Sequence, residues 1–297
     1  MRVIDDGSTD RTAELVAEVA ARDERVTLLS AGPLPAGWRG KVHALRQGLE
    51  GVDTPWVLST DADTRHAPEL LARALATAEE HRLDALSLAG FQECRGLGEN
   101  LLTPPVFALL DALLGDWRAS GEGSGPPVAN GQYILLRREA LAEAGGFEAI
   151  RGEVLDDVAL VHALREAGFR TGFFREPGLR VRMYQGWRES FRGWRRSLGA
   201  ILGERRGLAA GLVAALALPA GLLLGLAGSG HLAAAALLWL AGAGASAVLR
   251  AGSGQPPAWG LLFPLDALAL GWTLLLGTID RRRGRLEAWK GRPLAMP

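Results

Sequence analysis

Three apolar stretches close this chain, at roughly 209–229, 231–249 and 258–279. Each approaches the ~20 residues that a helix needs to cross a bilayer. Any one of them also reads as a buried core helix. Three in succession, nearly free of charge and bounded by arginine-rich segments, point to a membrane region. That ending divides the 297 residues into two units of opposite character. Residues 1–189 carry a net charge of −8 and residues 190–297 a net of +8, so an overall zero hides an acidic front and a basic back. A basic apolar module fits a membrane surface with anionic lipid. Nucleic acid is disfavoured as a partner, because the basic residues flank apolar spans and form no stripe on a soluble domain. No obligate protein partner is expected.

Orientation poses a conflict. Arg192, Arg195, Arg196, Arg205 and Arg206 precede the first stretch, and Arg281, Arg282, Arg283 and Arg285 follow the last. The excess of cations on cytoplasmic flanks puts both clusters on the same side. Three full crossings cannot do that. Either one stretch is re-entrant or the rule fails at the C-terminus, and Pro264 and Asp266 mark 258–279 as the irregular one. The expected organisation is a soluble unit over 1–189, an amphipathic basic interfacial segment over 190–208, two or three spans within 209–280, and a basic tail over 281–297.

The front half alternates strand and helix patterns. "RVI" (2–4) ends a strand, and Ser8, Thr9 and Asp10 are cap residues for a helix carrying Leu15, Val16 and Val19. "RVTLLS" (25–30), "WVLST" (56–60) and "LDALSLAG" (83–90) read as strands, with helices at "KVHALRQGL" and after Pro68. "GQYILLRREAL" and "RTGFFREP" read as further strands around a helix, "EVLDDVALVHALREAG". The alternation predicts an α/β fold with a parallel sheet covered on both faces. "LLTPPVFALLDALLGDW" is apolar but broken by Pro104 and Pro105. It is too short to span, and fits an interface or the lining of a cleft.

Two acidic pairs follow strands: Asp5–Asp6 after the first, and Asp61 and Asp63 in "STDADT" after "WVLST". Open α/β sheets bind ligands at the C-terminal ends of their strands. Two carboxylates one residue apart at such an end suit a hard divalent ion that also bridges phosphate oxygens. The first pair also reads as a helix cap. A phosphatase of the haloacid-dehalogenase type is disfavoured, because Arg65 and His66 stand where that pattern wants small or apolar residues. No G-x-G-x-x-G follows a strand, which removes a dinucleotide oxidoreductase. Lysine occurs only at 41 and 290 in a chain that otherwise uses arginine, which singles out Lys41. Cys94 is the sole cysteine, so no disulfide or multi-cysteine metal site forms within the chain. His43, His66 and His162 show no ligand spacing.

Taken in order, "VIDDGSTDRT", "GWRGKVHAL", "STDADT", "LDDVAL" and "YQGWRESFRGW" resemble the motifs of family 2 glycosyltransferases with the GT-A, Rossmann-like fold. "PAGWRGK", the C-terminal spans and the closing "AWKGR" look most like the hopene-associated membrane glycosyltransferases. The resemblance implies that Asp5 and Asp6 contact the base and ribose of a nucleotide-sugar donor, and that Lys41 approaches its diphosphate. It implies that Asp61 and Asp63 form the D-x-D, with Asp63 the direct ligand of Mg²⁺ or Mn²⁺, and that Asp157 is the catalytic base. The blander readings are a solvated Lys41 and first-turn acids at Asp156 and Asp157 that complement a helix dipole.

The last motif departs from the pattern. Processive members carry Gln-x-x-Arg-Trp, whereas Gln185 here precedes Gly186, Trp187 and Arg188, which fits transfer of a single sugar. Trp187 and Trp194, seven apart, are expected on one face of an interfacial helix, as anchors or as acceptor contacts. The implied enzyme sits in the inner membrane with its catalytic domain cytoplasmic, and glycosylates a hopanoid, terpenoid or sphingolipid-like hydroxyl. A polyprenyl-phosphate sugar transferase and a non-catalytic membrane scaffold are the alternatives. The resembled proteins have a strand and helix before the D-D-G-S segment, so the chain is expected to be a truncated gene product.

Overall fold

The computed structural model describes residues 1–114, 127–202 and 205–284, with the backbone alone of 288–289 and 292–293. Residues 115–117 of the proline-containing apolar stretch, and most of the 281–297 tail including Arg285, lie outside the described residues. The front half runs β1 (Arg2–Asp5), α1 (Thr12–Ala20), β2 (Thr27–Ser30), α2 (Gly40–Leu49), β3 (Trp56–Thr60) and β4 (Thr64–His66). It continues through α3 (Leu70–Glu80), β5 (Ala85–Gln92), α4 (Leu97–Leu114), β6 (Tyr133–Arg137), α5 (Arg138–Glu143), α6 (Asp156–Glu166) and β7 (Thr171–Val181). The back half is helical: α7 (Gly186–Leu202), α8 (Arg206–Gly228), α9 (Leu232–Gly252) and α10 (Leu265–Arg282), before a short β8–β9 pair at 288–289 and 292–293.

An α/β fold is present, but the main sheet is mixed and not parallel. Its order is β3-β6-β5-β7-β4, and β1 and β2 form a separate parallel pair. Only β5 and β7 run parallel within the main sheet; β6 is antiparallel to β3 and β5, and β4 is antiparallel to β7. Only Asp61–Asp63 separate β3 from β4 along the chain, yet the two strands take opposite ends of the order, β4 reversing to pair with β7.

Both faces of the sheet are covered, as the alternation predicts. Along β6, Ile134 and Leu136 point into one core with Val42, Leu141, Phe147 and Leu164. Tyr133 and Leu135 point into the other, against Leu70, Ala74 and Leu86. The near-continuous apolar run of β6 is thus the signature of a strand buried on both sides.

Pro104 and Pro105 do not break α4, which runs through them. The helix is held by packing. Leu102 and Val106 share a third core with Trp194 and Leu198 of α7 and Leu270 and Leu274 of α10. α7 and α10 approach closely: a Cβ at Gly277 would lie 2.3 Å from the Arg195 carbonyl oxygen. Arg195 pairs with Asp280 beside that contact, its Nη2 2.7 Å from Oδ1. α8 and α9 are each long and apolar enough to cross a membrane by length and composition. The third apolar stretch is irregular, as Pro264 and Asp266 predict. A 3-10 segment, Pro257–Leu262, packs back along α9, where Trp239 Nε1 donates to the Phe263 carbonyl (2.7 Å). α10 then runs against α8 so that Arg282 and Arg206 line the same groove.

Candidate active site

The turn between β3 and β4 carries Asp61 and Asp63, and hydroxyl groups set its shape. Thr60 Oγ1 donates to the Gln132 carbonyl (2.8 Å), Thr64 Oγ1 to the Asp61 carbonyl (2.7 Å), and His66 Nε2 sits 3.1 Å from both hydroxyls. Backbone bonds tie both sides, from Asp61 N–H to Gln132 O (3.4 Å) and from Arg182 N–H to Asp63 O (3.3 Å). The two acids are therefore held by the loop before β6 and by the exit of β7.

Helix α2 starts at Gly40 and delivers Lys41 to the same place. Its Nζ lies 3.0 Å from Asp61 Oδ1 and 3.3 Å from Asp156 Oδ2. Asp156 and Asp157 open α6, and the Asp157 carboxylate accepts two backbone N–H groups, from Gly131 (2.8 Å) and Val158 (2.9 Å). Glycine at 131 leaves room for the lysine: a Cβ there would stand 2.6 Å from Lys41 Nζ and 3.7 Å from Asp157 Oδ2, so the ammonium would have to move. Asp6 joins from the other side, since a Cβ at Gly40 would lie 2.5 Å from its Oδ2. Asp5 accepts the Ser8 N–H (3.0 Å) in the turn after β1 but does not cap α1, whose N-cap is Arg11 without a side-chain hydrogen bond.

The electrostatics follow from this crowding. Asp61, Asp63, Asp156 and Asp157 gather around the single ammonium of Lys41. Burial alone lowers the lysine pKa, but Asp156, Asp61 and Asp157 reverse it and leave the pKa above the ordinary value. Burial, then the Asp156 charge, pushes Asp157 up to about 6 against the pull of Lys41 and its two N–H donors. Burial and the neighbouring Asp61 also raise Asp63. An excess of carboxylate at strand ends is a site short of positive charge.

The segment before α7 flanks this cluster. Gln185, Trp187 and Arg188 are exposed. The Gln185 N–H donates to Glu189 (2.8 Å), and the Glu189 charge reaches Asp63. The two tryptophans, only ~20° apart around a straight helix, share a face of α7 but differ in burial. Trp187, in the first turn, stacks on Phe191 (5.5 Å) in the open, whereas Trp194, further along, is buried between α4 and α10 and donates to Thr103 (3.1 Å).

Glu99 was not legible as part of this region. It is buried in α4, and its carboxylate accepts from Gly186 N–H (2.9 Å), Arg182 Nη2 (3.0 Å) and Arg95 N–H (2.8 Å). Burial opposes its charge, yet these donors hold its pKa below the ordinary value. A lone acid in an apolar helix gives no pattern to find. Asn130, Gly131 and Gln132 were missed too; the "NGQ" run before β6 was the available signal. The α4–α7 junction is tight, because a Cβ at Gly98 would meet the Trp187 backbone at 2.5 Å. Gly98→Ala is therefore expected to destabilise the chain by about 1–3 kcal/mol, read as a lower thermal unfolding midpoint in detergent.

Residues 1–143 match the family model described as "Glycosyl transferase family 2". Two curated relatives are the beta-monoglucosyldiacylglycerol synthases of Nostoc sp. (strain PCC 7120) and Trichormus variabilis. They are 28% and 27% identical over 164 residues, which is 54% of this chain and 33% of each relative. The chain thus spans about a third of the curated relatives it matches. Among solved structures, mannosyl-3-phosphoglycerate synthase from Rubrobacter xylanophilus aligns at 20% identity and a TM-score of 0.34, over 62% of this chain and 56% of that one.

Proposed function

We propose that this chain, which carries a family 2 glycosyltransferase domain of GT-A-like α/β fold, is a membrane-anchored, metal-dependent, inverting glycosyltransferase. It moves a sugar from a nucleotide-sugar donor to a lipid hydroxyl. The observation that carries the reading is the convergence on Lys41: one ammonium bridges Asp61 of the D-x-D and Asp156, next to the N–H-held carboxylate of Asp157.

In this reading Asp5 and Asp6 bind the base and ribose of the donor, and Lys41 faces its diphosphate. The residues fit a divalent ion. Four carboxylates surround one ammonium, and burial followed by a like-charged neighbour raises Asp63 and Asp157. Among the described residues no group of three or more His, Cys, Asp or Glu side chains forms a metal cage. Two carboxylates, Asp61 and Asp63, suit Mg²⁺ or Mn²⁺, which keep several waters and take phosphate oxygens from the substrate. When bound, such an ion offsets charge on the departing diphosphate.

Asp157 takes the proton from the acceptor hydroxyl as its oxygen bonds to the anomeric carbon. The bond from that carbon to the diphosphate breaks on the opposite face, its electrons leave with the phosphate, and the configuration inverts. The N–H groups of Gly131 and Val158 orient the Asp157 carboxylate. Gln185, Trp187 and Arg188 form the exposed interfacial edge beside this cluster.

A lipid acceptor is supported by two observations. The relatives named above are glycolipid synthases by name, and α8 and α9 have the length and hydropathy of spans. We place the catalytic domain on the cytoplasmic face of the inner membrane. With α8 and α9 as a hairpin, and 257–282 folding back so that Arg282 ends near Arg206, both arginine clusters lie on one side. The diacylglycerol of the relatives' names joins hopanoid, terpenoid and sphingolipid-like hydroxyls as candidate acceptors.

The test is turnover of nucleotide sugars by the purified chain with Mg²⁺ or Mn²⁺. Asp63→Ala is expected to lose roughly 10²–10³-fold in metal-supported turnover, the several kcal/mol a Lewis-acidic ion contributes. Turnover at the wild-type rate in that variant would sink the metal role.

A further inference from the structure

A cavity of about 270 Å³ opens between α4, the end of β5, the middle of β7 and the residues at and after the end of α9. None of the proposed catalytic residues lines it. One wall is apolar, made by Phe107, Leu110, Val128 and Phe173. The inner end is polar, formed by Gln92 and Asn130. Gln92 is 6% exposed, and its Nε2 donates to the Gly90 carbonyl and to Gln132 Oε1, both at 3.1 Å. Its Oε1 has no hydrogen-bond partner in the protein. That oxygen is itself closed off from the cavity, and the polar side chain left to face an occupant at the inner end is Asn130.

The position of the cavity ties it to the reaction. Asn130 lines it, and the N–H of the next residue, Gly131, holds Asp157 at 2.8 Å. Gln132, bonded to Gln92, accepts the Asp61 N–H through its backbone carbonyl. The outer side is formed by Gly252–Gln255, directly after the apolar helix α9, and Gln255 Nε2 donates to the Gln92 carbonyl (2.6 Å). An elongated molecule lying here has one end at Asn130, the residue before the glycine that holds Asp157, and the other at the end of α9.

Charge selects among lipids. The charged side chains of the lining are Asp111, Arg175 and Glu176. Arg175 is paired with Asp111, and Glu176 with Arg73 (3.0 Å). Two carboxylates against one committed guanidinium leave no cation for a phosphate head.

We propose that this cavity is the acceptor site and that it takes a neutral, hydroxyl-bearing lipid. The hydroxyl turns toward Asn130, on the side of the Gly131–Asp157 hydrogen bond, and the hydrocarbon lies on Phe107 and Leu110. The assignment rests on the glycosyltransferase reading. Its experiment is labelling of the full chain, in phosphatidylcholine nanodiscs, by a photoactivatable diacylglycerol. Labelling is expected on peptides of α4 and β7, competed by dioleoylglycerol and not by undecaprenyl phosphate. Leu110→Trp, which fills the cavity, is expected to cut labelling at least fivefold. Ala89→Leu narrows it from the opposite wall and should act the same way should Leu110→Trp fail to fold.

Undiminished labelling in a folded cavity-filling variant, label elsewhere in the chain, or equal competition by the polyprenyl phosphate overturns the assignment. Nucleotide-sugar binding is measured on the same samples by calorimetry. Its absence in the wild type overturns the glycosyltransferase reading, while the labelling pattern still decides whether the cavity holds a neutral lipid.

Discussion

Asp157→Asn is expected to abolish sugar transfer, by roughly 10²–10⁴-fold, while leaving nucleotide-sugar binding intact. The asparagine keeps the shape and an oxygen for the N–H groups of Gly131 or Val158, but it cannot take a proton. Wild-type transfer should also fall as pH is lowered through about 6, because burial and Asp156 raise Asp157 to that range and only its ionised form is a base. The sign for stability is the opposite. A carboxyl whose folded pKa lies above its ordinary 3.8 binds a proton more tightly when folded. Its contribution therefore favours the folded state at low pH and is lost as pH rises toward 6. Three readings check the set: calorimetric binding of the donor, a pH–rate profile, and the pH dependence of the unfolding midpoint. Transfer at the wild-type rate by Asp157→Asn would place the base elsewhere.

Asp266→Ala should produce the largest loss of stability. Asp266 and Arg250 are both nearly fully buried and lie 3.0 Å apart, on α10 and α9. Ser246 adds a hydroxyl to Asp266 (2.9 Å), and Arg250 Nη2 donates to the Asn100 carbonyl of α4 (3.0 Å). Three helices meet in that one network. Removing the acid leaves a buried guanidinium without its counter-charge, a loss of about 3–5 kcal/mol. Replacing both partners by apolar residues, Arg250→Met with Asp266→Leu, should restore most of it, because no buried charge remains. Thermal unfolding of the detergent-solubilised chain reads both. A double variant no better than the single would mean that the arginine is held mainly by its other partners.

The sequence made several elements readable for local reasons. Alternating β-branched and helical patterns located β1, β2, β3, β5 and α2, and a strand ending in "STDADT" put two acids at a strand terminus. The apolar runs announced α8 and α9, and Pro264 and Asp266 marked the third run as irregular. Each inference needed only neighbours along the chain, since periodicity and turn chemistry act over a few residues.

What the pattern could not carry was set by distant partners. The direction of β6 depends on which strands it joins, and its apolar run reads the same either way. Pro104 and Pro105 stay inside α4 because α7 and α10 cover it, a support absent from their local context. Trp194 is buried and Trp187 is not, although both sit in the same motif, because Trp187 stands in the first turn of α7 while Trp194 lies further along, enclosed by α4 and α10.

The acids themselves show the division most clearly. Asp5, Asp6, Asp61, Asp63 and Asp157 were visible as residue types in ordered motifs. Only the tertiary structure sets Lys41 between Asp61 and Asp156, 95 positions apart in the chain. The raised pKa of Asp157, the burial of Glu99 and the Gln92 cavity follow from that assembly. Charge and burial act through space, so a linear pattern names the groups while packing decides their chemistry.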